Sequence, residues 1–349
     1  MKSFYNNKRV LITGHTGFKG SWLTLILVNM GAKVLGISND FPNSPNLFKM
    51  FKLEEDIDSR ILDIRDYENI NEAISTFNPE IVFHLAAQPL VRESYIDPRY
   101  TYETNVIGTL NILECIRSCD NVKSVINVTT DKVYENKEWI WAYRENENLD
   151  GFDPYSNSKS CSELVTRTYK RSFFNERDIS ISSCRAGNVI GGGDFSKDRI
   201  IPDTVSAIIS NQSINLRSPN SVRPYQHVIE PLYVYLLVAQ SQYLNKEIQG
   251  EYNIGPDSSS FIKTIDLVTS FKTYWGTSIE TQYIRDDSFH EANLLMLDSS
   301  RLKFTFNWLP KWNIDTTIKQ TVEWYKAYHD GSDMREFSEK QIELFGMFG

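Results

Sequence analysis

The sequence predicts an α/β protein with a doubly wound parallel Rossmann sheet and a smaller, mostly C-terminal α/β substrate lobe. Short apolar runs alternate with helical segments in the first half, a glycine-rich turn follows the first run, and the texture changes after Arg185. Parallel strands joined by crossover helices produce the first pattern. The length of 349 residues and the hydrophobic content of 41% suit one large domain with a smaller lobe, or two packed domains.

Five apolar runs are expected to be buried strands, because they are rich in Val, Ile and Leu. They span 9–13, 33–37, 81–85, 124–128 and 179–185. The helix after the first strand is expected at about 17–30, with Gly31 as its left-handed cap.

The boundary between the two parts is predicted to be discontinuous. Three glycines, scattered prolines and an aromatic helix near 318–329 mark the second part, whereas 227–242 and a short strand at 251–254 are expected to return to the first. The predicted cofactor-binding domain is 1–186 plus about 226–255. The predicted substrate-binding lobe is about 187–225 plus 256–349.

Composition excludes several classes of function. A net charge of -8 disfavours nucleic acid as a partner, because polyanion binding needs a concentrated basic face. The chain has neither an apolar signal core nor a run of about 18 apolar residues, which argues against secretion and a membrane partner. The four cysteines and five histidines show no metal-ligand spacing, so no metal and a reducing, cytoplasmic location are expected. Cys115 and Cys119 are expected to be small buried helix residues.

A glycine-rich turn directly follows the first strand. Gly14, Gly17 and Gly20 have the spacing GxxGxxG. Glycines there permit a tight turn and close approach of the backbone to a pyrophosphate, while the helix N-terminus offers unpaired amides. Because the turn lies within a complete βαβ unit, it predicts a dinucleotide cofactor.

The end of the second strand is expected to hold the adenosine ribose. Ser38, Asn39 and Asp40 are the candidates, and Asp40 would favour NAD by repelling the 2′-phosphate of NADP. Lys19 points the other way, because a cation in the glycine loop could pair with that phosphate; NAD is the expected cofactor. Asp63 is expected near the adenine amino group, although it could be a solvated turn residue.

Thr130, Tyr155 and Lys159 form the candidate reaction centre. Tyr155 and Lys159 are four residues apart in a helical segment, so their side chains share one face. An ammonium group and a positive nicotinamide ring would lower the pKa of the phenol and make it a usable base. Thr130 ends a predicted strand, where its hydroxyl could bond the reacting oxygen. Taken alone, Tyr155 and Lys159 would be ordinary surface residues; the glycine turn and Thr130 favour catalysis.

Five motifs together resemble the extended short-chain dehydrogenase/reductases that act on nucleotide sugars. They are TGHTGFKG (13–20), HLAAQ (84–88), TNVIGT (104–109), TTDKVY (129–134) and PYSNSK (154–159). The resemblance covers nearly the whole chain. It implies further cofactor contacts from Thr16, Phe18, Ile64, Leu85, Ala86, Ala87 and Asn105, in addition to Tyr155 and Lys159.

Within that family the dipeptide Asp131-Lys132 is informative. The 4,6-dehydratases have an acidic residue after the threonine; those acting on dTDP-glucose continue with Glu, whereas those acting on CDP-glucose resemble this sequence in having Lys. Epimerases generally lack the pair. The segments 14–23, 185–195, 198–203 and 223–231 also resemble the CDP-glucose enzymes. A loop ion pair is the alternative interpretation of the dipeptide.

The resemblance also implies a substrate site and a reaction. Asn188 would contact the nucleotide diphosphate and Arg223 would hold the phosphates, with Gln88, Arg199 and Arg301 as further candidates. His227 is expected to be a packed structural residue. Tyr155 would take the C4 hydroxyl proton, Asp131 would protonate the leaving C6 hydroxyl, and Lys132 would be the base at C5 if it is buried enough to be neutral.

Alternative functions remain at this stage. A dehydratase or epimerase for another nucleotide sugar fits most motifs, since no single motif identifies the nucleotide base. A nicotinamide-sensing regulatory protein is disfavoured because Tyr155 and Lys159 are both retained. The family implies a homodimer or a dimer of dimers through helices near 100–117 and 155–174.

Overall fold

A parallel sheet of seven strands forms the centre of the computed structural model, which describes residues 1–284 and 294–348. The strands of the chain are β1 (Arg9–Thr13), β2 (Lys33–Ser38), β3 (Asp58–Ile61), β4 (Ile81–His84), β5 (Ser124–Thr130), β6 (Ser180–Ala186), β7 (Val189–Ile190), β8 (Ile214–Leu216), β9 (Val222–Arg223), β10 (Gln226–His227), β11 (Glu251–Ile254), β12 (Ile262–Lys263) and β13 (Thr281–Tyr283). The order in the large sheet is β11-β6-β5-β4-β1-β2-β3. The predicted doubly wound Rossmann class is confirmed.

The five predicted strands are present, with ends that differ by one or two residues. The edge strand β3 was missed because Asp58–Ile61 is largely polar and none of its residues is buried. Such a strand lacks the apolar run that identifies an internal parallel strand. The predicted return of 251–254 is confirmed, since β11 pairs in parallel with β6.

Helices cover both faces of the sheet. They are α1 (Lys2–Tyr5), α2 (Phe18–Asn29), α3 (Leu47–Met50), α4 (Tyr67–Phe77), α5 (Val91–Ile96), α6 (Pro98–Tyr102), α7 (Gly108–Ser118), α8 (Pro154–Tyr169), α9 (Ile200–Ile209), α10 (Ile229–Leu244), α11 (Thr264–Trp275), α12 (Ser300–Phe306), α13 (Ile314–His329) and α14 (Met334–Phe345). Short 3-10 turns occur at Leu53–Glu55, Asp131–Val133, Lys246–Ile248 and Ser258–Ser260, and π turns at Glu103–Ile107 and Lys170–Phe174. No described helix has the length and apolar character needed to cross a bilayer.

Two apolar cores follow from the alternation of side chains along each strand. In β1, Val10 and Ile12 face the core that contains α2 and α10, whereas Leu11 faces the core formed with α4 and α7. Each internal strand is therefore buried on both sides. This double burial explains the continuous apolar runs in the sequence.

The helix after β1 forms as expected. It spans Phe18–Asn29, and Gly31 has φ +80°, the left-handed conformation expected of a C-terminal cap. Helix α8 begins at Pro154, and the carboxylate of Asp153 caps it by accepting a hydrogen bond from the Ser156 amide. These two helices bring the glycine turn and Tyr155 to the same edge of the sheet.

The C-terminal half adds three small two-stranded sheets, β7 with β10, β8 with β13 and β9 with β12. Helix α10 packs against β5 and β6, so this part of 226–255 covers the large sheet. The exact division into 1–186 plus 226–255 and 187–225 plus 256–349 stays a prediction.

Candidate active site

A long cleft runs along the carboxyl ends of the strands. Its volume of about 1410 Å³ exceeds the roughly 300–1,000 Å³ of a pocket for one small molecule. The cleft lies where the strand order reverses, with β4 and β2 on opposite sides of β1. Ligands of open α/β sheets bind at such a switch point. The cleft has room for a dinucleotide and a second nucleotide.

The glycine turn at the end of β1 forms a closed cradle. Gly14 has φ +79°, and a Cβ on Gly20 would lie 2.0 Å from the Gly14 carbonyl oxygen. Helix α2 begins immediately afterwards, with Gly17 as its N-cap. The unpaired amides of this helix start therefore face the cleft, where an anion would be held.

His15 links this turn to two strands, a role that the sequence did not suggest. Its imidazole nitrogens lie 3.0 Å from the Ser38 hydroxyl and 2.7 Å from the Ser59 hydroxyl. A Cβ on Gly36 would lie 2.4 Å from the His15 ring, so glycine is required beside it. Burial lowers the pKa of His15 to about 4, and the ring is neutral at neutral pH.

The candidate ribose end of the cleft lies after β2 and β3. The Thr16 hydroxyl donates to the Asp40 carbonyl at 2.6 Å, which fixes the loop that presents the exposed Asp40 carboxylate. Asp63 is half-buried and pairs with Arg65 at 2.7 Å. Burial alone would raise the pKa of Asp63, but the hydrogen bonds and charge of Arg65 lower it overall.

Lys19 extends away from the ribose end. Its ammonium group lies 3.5 Å from the Tyr235 hydroxyl in α10. Burial, followed by the charges of Arg199 and Lys159, lowers the pKa of Lys19 to about 8. These neighbours place the Lys19 charge toward the reaction end of the cleft, and its pairing with a ribose 2′-phosphate stays a prediction.

The loop after β4 forms the floor of the cleft. Leu85, Ala86, Ala87 and Gln88 line it, and the Ala86 amide donates to Thr13 at 3.2 Å. The Gln88 side-chain amide is used inside its own loop: it accepts from the Leu90 amide at 2.6 Å and donates to Thr101 at 2.8 Å. These bonds make Gln88 a shaping residue of the wall more than a free substrate ligand.

Asn105 does not line the cleft, contrary to the expected cofactor contact. Its side chain is buried, accepts from the Gln88 amide at 2.8 Å, and donates to the Gln88 carbonyl at 3.1 Å and to Ser158 at 2.9 Å. It therefore fastens the loop after β4 to α8. Sequence alone could not distinguish a ligand contact from this support behind the wall.

The three residues of the predicted reaction centre come together as expected. Thr130 ends β5, where its hydroxyl acts to lower the pKa of Tyr155 from α8, and both residues line the cleft. The Lys159 ammonium donates to the Val128 carbonyl at 3.0 Å. One turn of α8 thus places the phenol and the ammonium beside the end of β5.

The pKa of Tyr155 is raised in the protein alone, not lowered as expected. Burial raises the pKa of Tyr155 to about 12, against smaller opposite effects of the Thr130 hydrogen bond and the Arg199 charge. Burial also lowers the pKa of Lys159 to about 8. Removal from water disfavours the charged form of both groups. A positive nicotinamide ring beside the phenol would act in the opposite direction.

Asp131 is buried at the beginning of a 3-10 turn. Its Oδ1 accepts from Thr130 at 3.0 Å, and no described residue hydrogen-bonds its Oδ2. A Cβ on Gly187 would lie 3.5 Å from that oxygen. Burial raises the pKa of Asp131, against the charges of Lys132, Arg223 and Lys19. A raised pKa favours the protonated carboxyl, the form that a general acid needs.

Lys132 is half-buried and lines the same part of the cleft. It is neither fully desolvated nor free in solvent. Its position next to Asp131 is therefore consistent with proton transfer or with electrostatic stabilisation.

Three predicted phosphate-binding residues line the cleft: Asn188, Arg199 and Arg223. Arg223 is buried, and Arg199 forms an ion pair with Asp194 at 3.1 Å. Arg301 lies elsewhere, near the amino end of β11, where it pairs with Glu251 at 3.8 Å and covers the Tyr252 ring at 5.2 Å. Arg301 is not among the residues that line the cleft, and its role in substrate binding stays a prediction.

The remaining predicted cofactor contacts, Thr16, Phe18, Ser38 and Ile64, also line the cleft. His227 packs between Trp22 and Trp312, as expected for a structural residue, and burial lowers its pKa to about 3. All four cysteines are unpaired. Residues 1–284 and 294–348 contain no cluster of His, Cys, Asp and Glu suited to a metal ion.

Comparison with known proteins identifies the class. A sequence profile described as GDP-mannose 4,6 dehydratase matches residues 11–321, and the chain belongs to this family. It is 46% identical to the CDP-glucose 4,6-dehydratase of Salmonella typhimurium, over 98% of this chain and 97% of that protein. It is 25% identical to the dTDP-glucose 4,6-dehydratase of Xanthomonas campestris, over 90% and 92% of the two chains. The predicted resemblance to the CDP-glucose enzymes is confirmed.

Solved structures show the same fold. A dTDP-glucose 4,6-dehydratase from Streptomyces venezuelae has a TM-score of 0.81 at 22% identity and covers 94% of this chain and 99% of its own. The UDP-glucose 4-epimerase of Thermotoga maritima has a TM-score of 0.80 at 24% identity, covering 92% and 99%. A dehydratase and an epimerase match equally well, so the fold alone does not separate the two reactions.

Proposed function

We propose that this protein is an NAD-dependent hydro-lyase that converts CDP-D-glucose to CDP-4-keto-6-deoxy-D-glucose. The observation that carries the proposal is the position of Asp131 and Lys132. Asp131 is buried and accepts a hydrogen bond from Thr130, the residue that influences the pKa of the Tyr155 base, and Lys132 lines the same wall. An acid beside the site of hydride chemistry is what elimination requires and simple oxidation does not.

The residues of the cleft fit NAD. The closed turn of Gly14, Gly17 and Gly20 leaves no side chain between the backbone and a pyrophosphate, and the exposed carboxylate of Asp40 would meet the ribose. Lys19 lies too near the reaction end to favour NADP. NAD, when bound, supplies the acceptor that takes the hydride from C4 of the sugar and returns it to C6.

Tyr155 starts the reaction by removing the proton of the C4 hydroxyl. The Lys159 ammonium, one helical turn from Tyr155, would stabilise the phenolate that this role needs, and Thr130 at the end of β5 would orient the reacting hydroxyl. Oxidation at C4 produces a ketone, which makes the C5 proton acidic. The base and the orienting hydroxyl are held on α8 and β5, two rigid elements.

Asp131 and Lys132 carry the elimination. Asp131, whose pKa is raised by burial, gives its proton to the departing C6 hydroxyl, which leaves as water. Lys132, which lines the same wall of the cleft, takes the C5 proton and later returns a proton to C5. Asn188, Arg199 and Arg223 hold the nucleotide diphosphate, since arginine forks match phosphate oxygens.

A panel experiment tests the substrate and the reaction together. The NAD-loaded protein is incubated with CDP-, dTDP-, UDP- and GDP-glucose, and each product is weighed by mass spectrometry. We expect loss of one water from CDP-glucose. Dehydration of another nucleotide sugar would identify that sugar as the substrate instead. Isomerisation without loss of mass would establish an epimerase.

Isotopes test the internal transfer. Deuterium placed at C4 of the substrate is expected at C6 of the product, and solvent deuterium at C5. An ordinary dehydrogenase would instead accumulate labelled reduced cofactor, which would contradict the proposed mechanism.

We also propose that the protein works as a homodimer or a dimer of dimers. The helical segments of 98–118 and 154–174 leave several apolar side chains exposed, including Ile107, Leu164 and Phe173. A second copy would cover such a surface. Sedimentation of the protein and of its Leu164→Glu variant tests this, with loss of the dimer expected for the variant.

Four unpaired cysteines suit a reducing compartment such as the cytoplasm.

A further inference from the structure

A glycine turn after β7 packs directly onto the C-terminal helices. Gly193 has φ +84°, and a Cβ on Gly192 would lie 1.9 Å from Cγ of Trp324 in α13. The indole of Trp22 in α2 donates to the Gly192 carbonyl at 3.0 Å. The turn is therefore clamped between the cofactor-binding half and α13. Asp194, the next residue along the chain, is therefore held in a fixed position.

Asp194 is a buried carboxylate with every oxygen engaged. Oδ2 pairs with Nη1 of Arg199 at 3.1 Å, and Oδ1 accepts from the Ser196 amide at 3.1 Å. The Asp194 carbonyl accepts a hydrogen bond from the hydroxyl of Tyr325 in α13. The residue is 4% exposed and lines the cleft. A single residue thus connects the last helices of the chain to an arginine of the site.

Arg199 lies at the reaction end of the cleft. Its charge lowers the pKa of both Tyr155 and Lys19, which places it close to each. A free arginine would lose several rotamers on binding a ligand, and this ordering cost weakens affinity. Pairing with a buried carboxylate fixes the side chain before the ligand arrives.

A buried carboxylate beside an anion-binding cleft would by itself oppose an anionic ligand. Asp194 is therefore compatible with an anionic ligand only if a neighbouring cation neutralises its charge. A cation held in this way also has a fixed position. The ion pair with Arg199 does both, because Nη1 of the guanidinium binds the carboxylate while Arg199 still lines the cleft.

We propose that Asp194 is a positioning residue that holds Arg199 in place to bind the diphosphate of the substrate, and that Tyr325 anchors Asp194 from α13. This inference rests on the proposed function, because it assumes a nucleoside diphosphate as the ligand of the cleft. Asp194 itself does not touch the substrate. It acts through Arg199.

A double-mutant cycle separates this role from a general structural one. Calorimetric titration of the NAD-loaded full chain with CDP is carried out for wild type, Asp194→Ala, Arg199→Ala and the double variant. Each single change is expected to weaken CDP binding by about 10-fold to 100-fold, the cost of losing a charge-assisted hydrogen bond. The double variant is expected to bind no worse than Arg199→Ala, because Asp194 has nothing left to position.

Tyr325→Phe extends the cycle to the anchor. We expect a smaller loss of about 3-fold to 10-fold, the worth of one neutral hydrogen bond, again absent when Arg199 is already replaced. Tyr328→Phe is the matched control: its ring stacks on Trp324 in the same helix, and CDP binding should be unchanged. If Asp194→Ala does not fold, Asp194→Asn takes its place in the cycle.

Two outcomes would overturn the proposal. Either Asp194→Ala binds CDP as well as wild type, or it weakens binding equally with and without Arg199, which would show that the residue only stabilises the turn. A failure of the proposed function looks different. Wild type would then prefer UDP, dTDP or GDP over CDP, and the same cycle run with the preferred diphosphate would still decide the role of Asp194.

Discussion

The two ends of the cleft treat charge in opposite ways. At the reaction end, Lys159 and Asp131 are buried and Tyr155 is half-buried. Their removal from water raises the pKa of Tyr155 and Asp131 and lowers that of Lys159, which in each case favours the uncharged form. At the ribose end, Asp40 is exposed and Asp63 is paired with Arg65. Proton transfer needs groups whose protonation can be set by a neighbour, whereas recognition of a hydroxyl needs only a fixed acceptor. The difference predicts large kinetic effects at one end and small affinity effects at the other.

The largest effect is expected from Tyr155→Phe. Loss of a general base typically costs about 100-fold to 10,000-fold in rate, and the first hydride transfer should fall by this amount. NAD binding should be nearly unchanged, since the ring remains. Stopped-flow absorbance of the reduced cofactor measures the first step, and calorimetry measures binding. Turnover near that of wild type would remove Tyr155 from the mechanism.

Asp131→Asn should block elimination without blocking oxidation. Thr130, Tyr155 and Lys159 are untouched, so C4 is still oxidised, but an amide cannot protonate the leaving hydroxyl. The variant should stall with reduced cofactor on the enzyme, and product release should fall by about 100-fold or more. Lys132→Met should stall at the same stage if the amine takes the C5 proton. Release of dehydrated product by both variants at the wild-type rate would assign elimination to other residues.

The pH dependence of the first hydride transfer reports the interaction between Tyr155 and Lys159. Rising pH favours the Tyr155 phenolate, but above about 8 the Lys159 ammonium that stabilises it loses its proton. The rate of the first hydride transfer should therefore rise with pH up to about 8 and level off or fall at higher pH. In Lys159→Met the positive charge is gone at every pH, so the rise should move upward by about 1–3 pH units. The two apparent values belong to the pair and not to single residues. An unshifted profile would separate Lys159 from the base.

The smallest effect is expected at Asp40. Wild type should bind NAD more tightly than NADP, because the carboxylate repels a 2′-phosphate. For an exposed pair, a charge interaction of about 1 kcal/mol in water corresponds to about fivefold in affinity, so Asp40→Asn should narrow the preference by that amount. Titration of cofactor-free protein with each dinucleotide measures it. A preference for NADP in wild type, or a loss as large as that of Tyr155→Phe, would break the contrast between the two ends.

The parallel core and the reaction centre could be predicted from the sequence for a physical reason. Strands buried on both faces must be apolar along their length, and Tyr155 and Lys159 share a helix face through a spacing of four. Local pattern thus fixed both. The polar edge strand β3 lacked such a pattern, because it pairs only with β2 and none of its residues is buried.

The sequence could not show the environment of residues whose neighbours come from distant parts of the chain. Arg301 and Asn105 have the chemistry of ligand contacts, but Glu251 occupies the first and the Gln88 loop the second. Lys19 was placed near the ribose, and only the position of α10 shows that it extends to Tyr235. The raised pKa of Tyr155 was missed because burial is a property of the folded chain. The role proposed for Asp194 depends on Tyr325, which is far away in sequence.

The close fit of His15 against Gly36 makes these two positions interdependent. A methyl group at position 36 and an imidazole at position 15 would claim the same space. A smaller residue at 15 would open a void above β2 and leave the Ser38 and Ser59 hydroxyls without that partner. A substitution at either position alone is therefore expected to destabilise the protein. Any redesign of the loop must substitute both at once, and single substitutions along the way should be less stable than either end point.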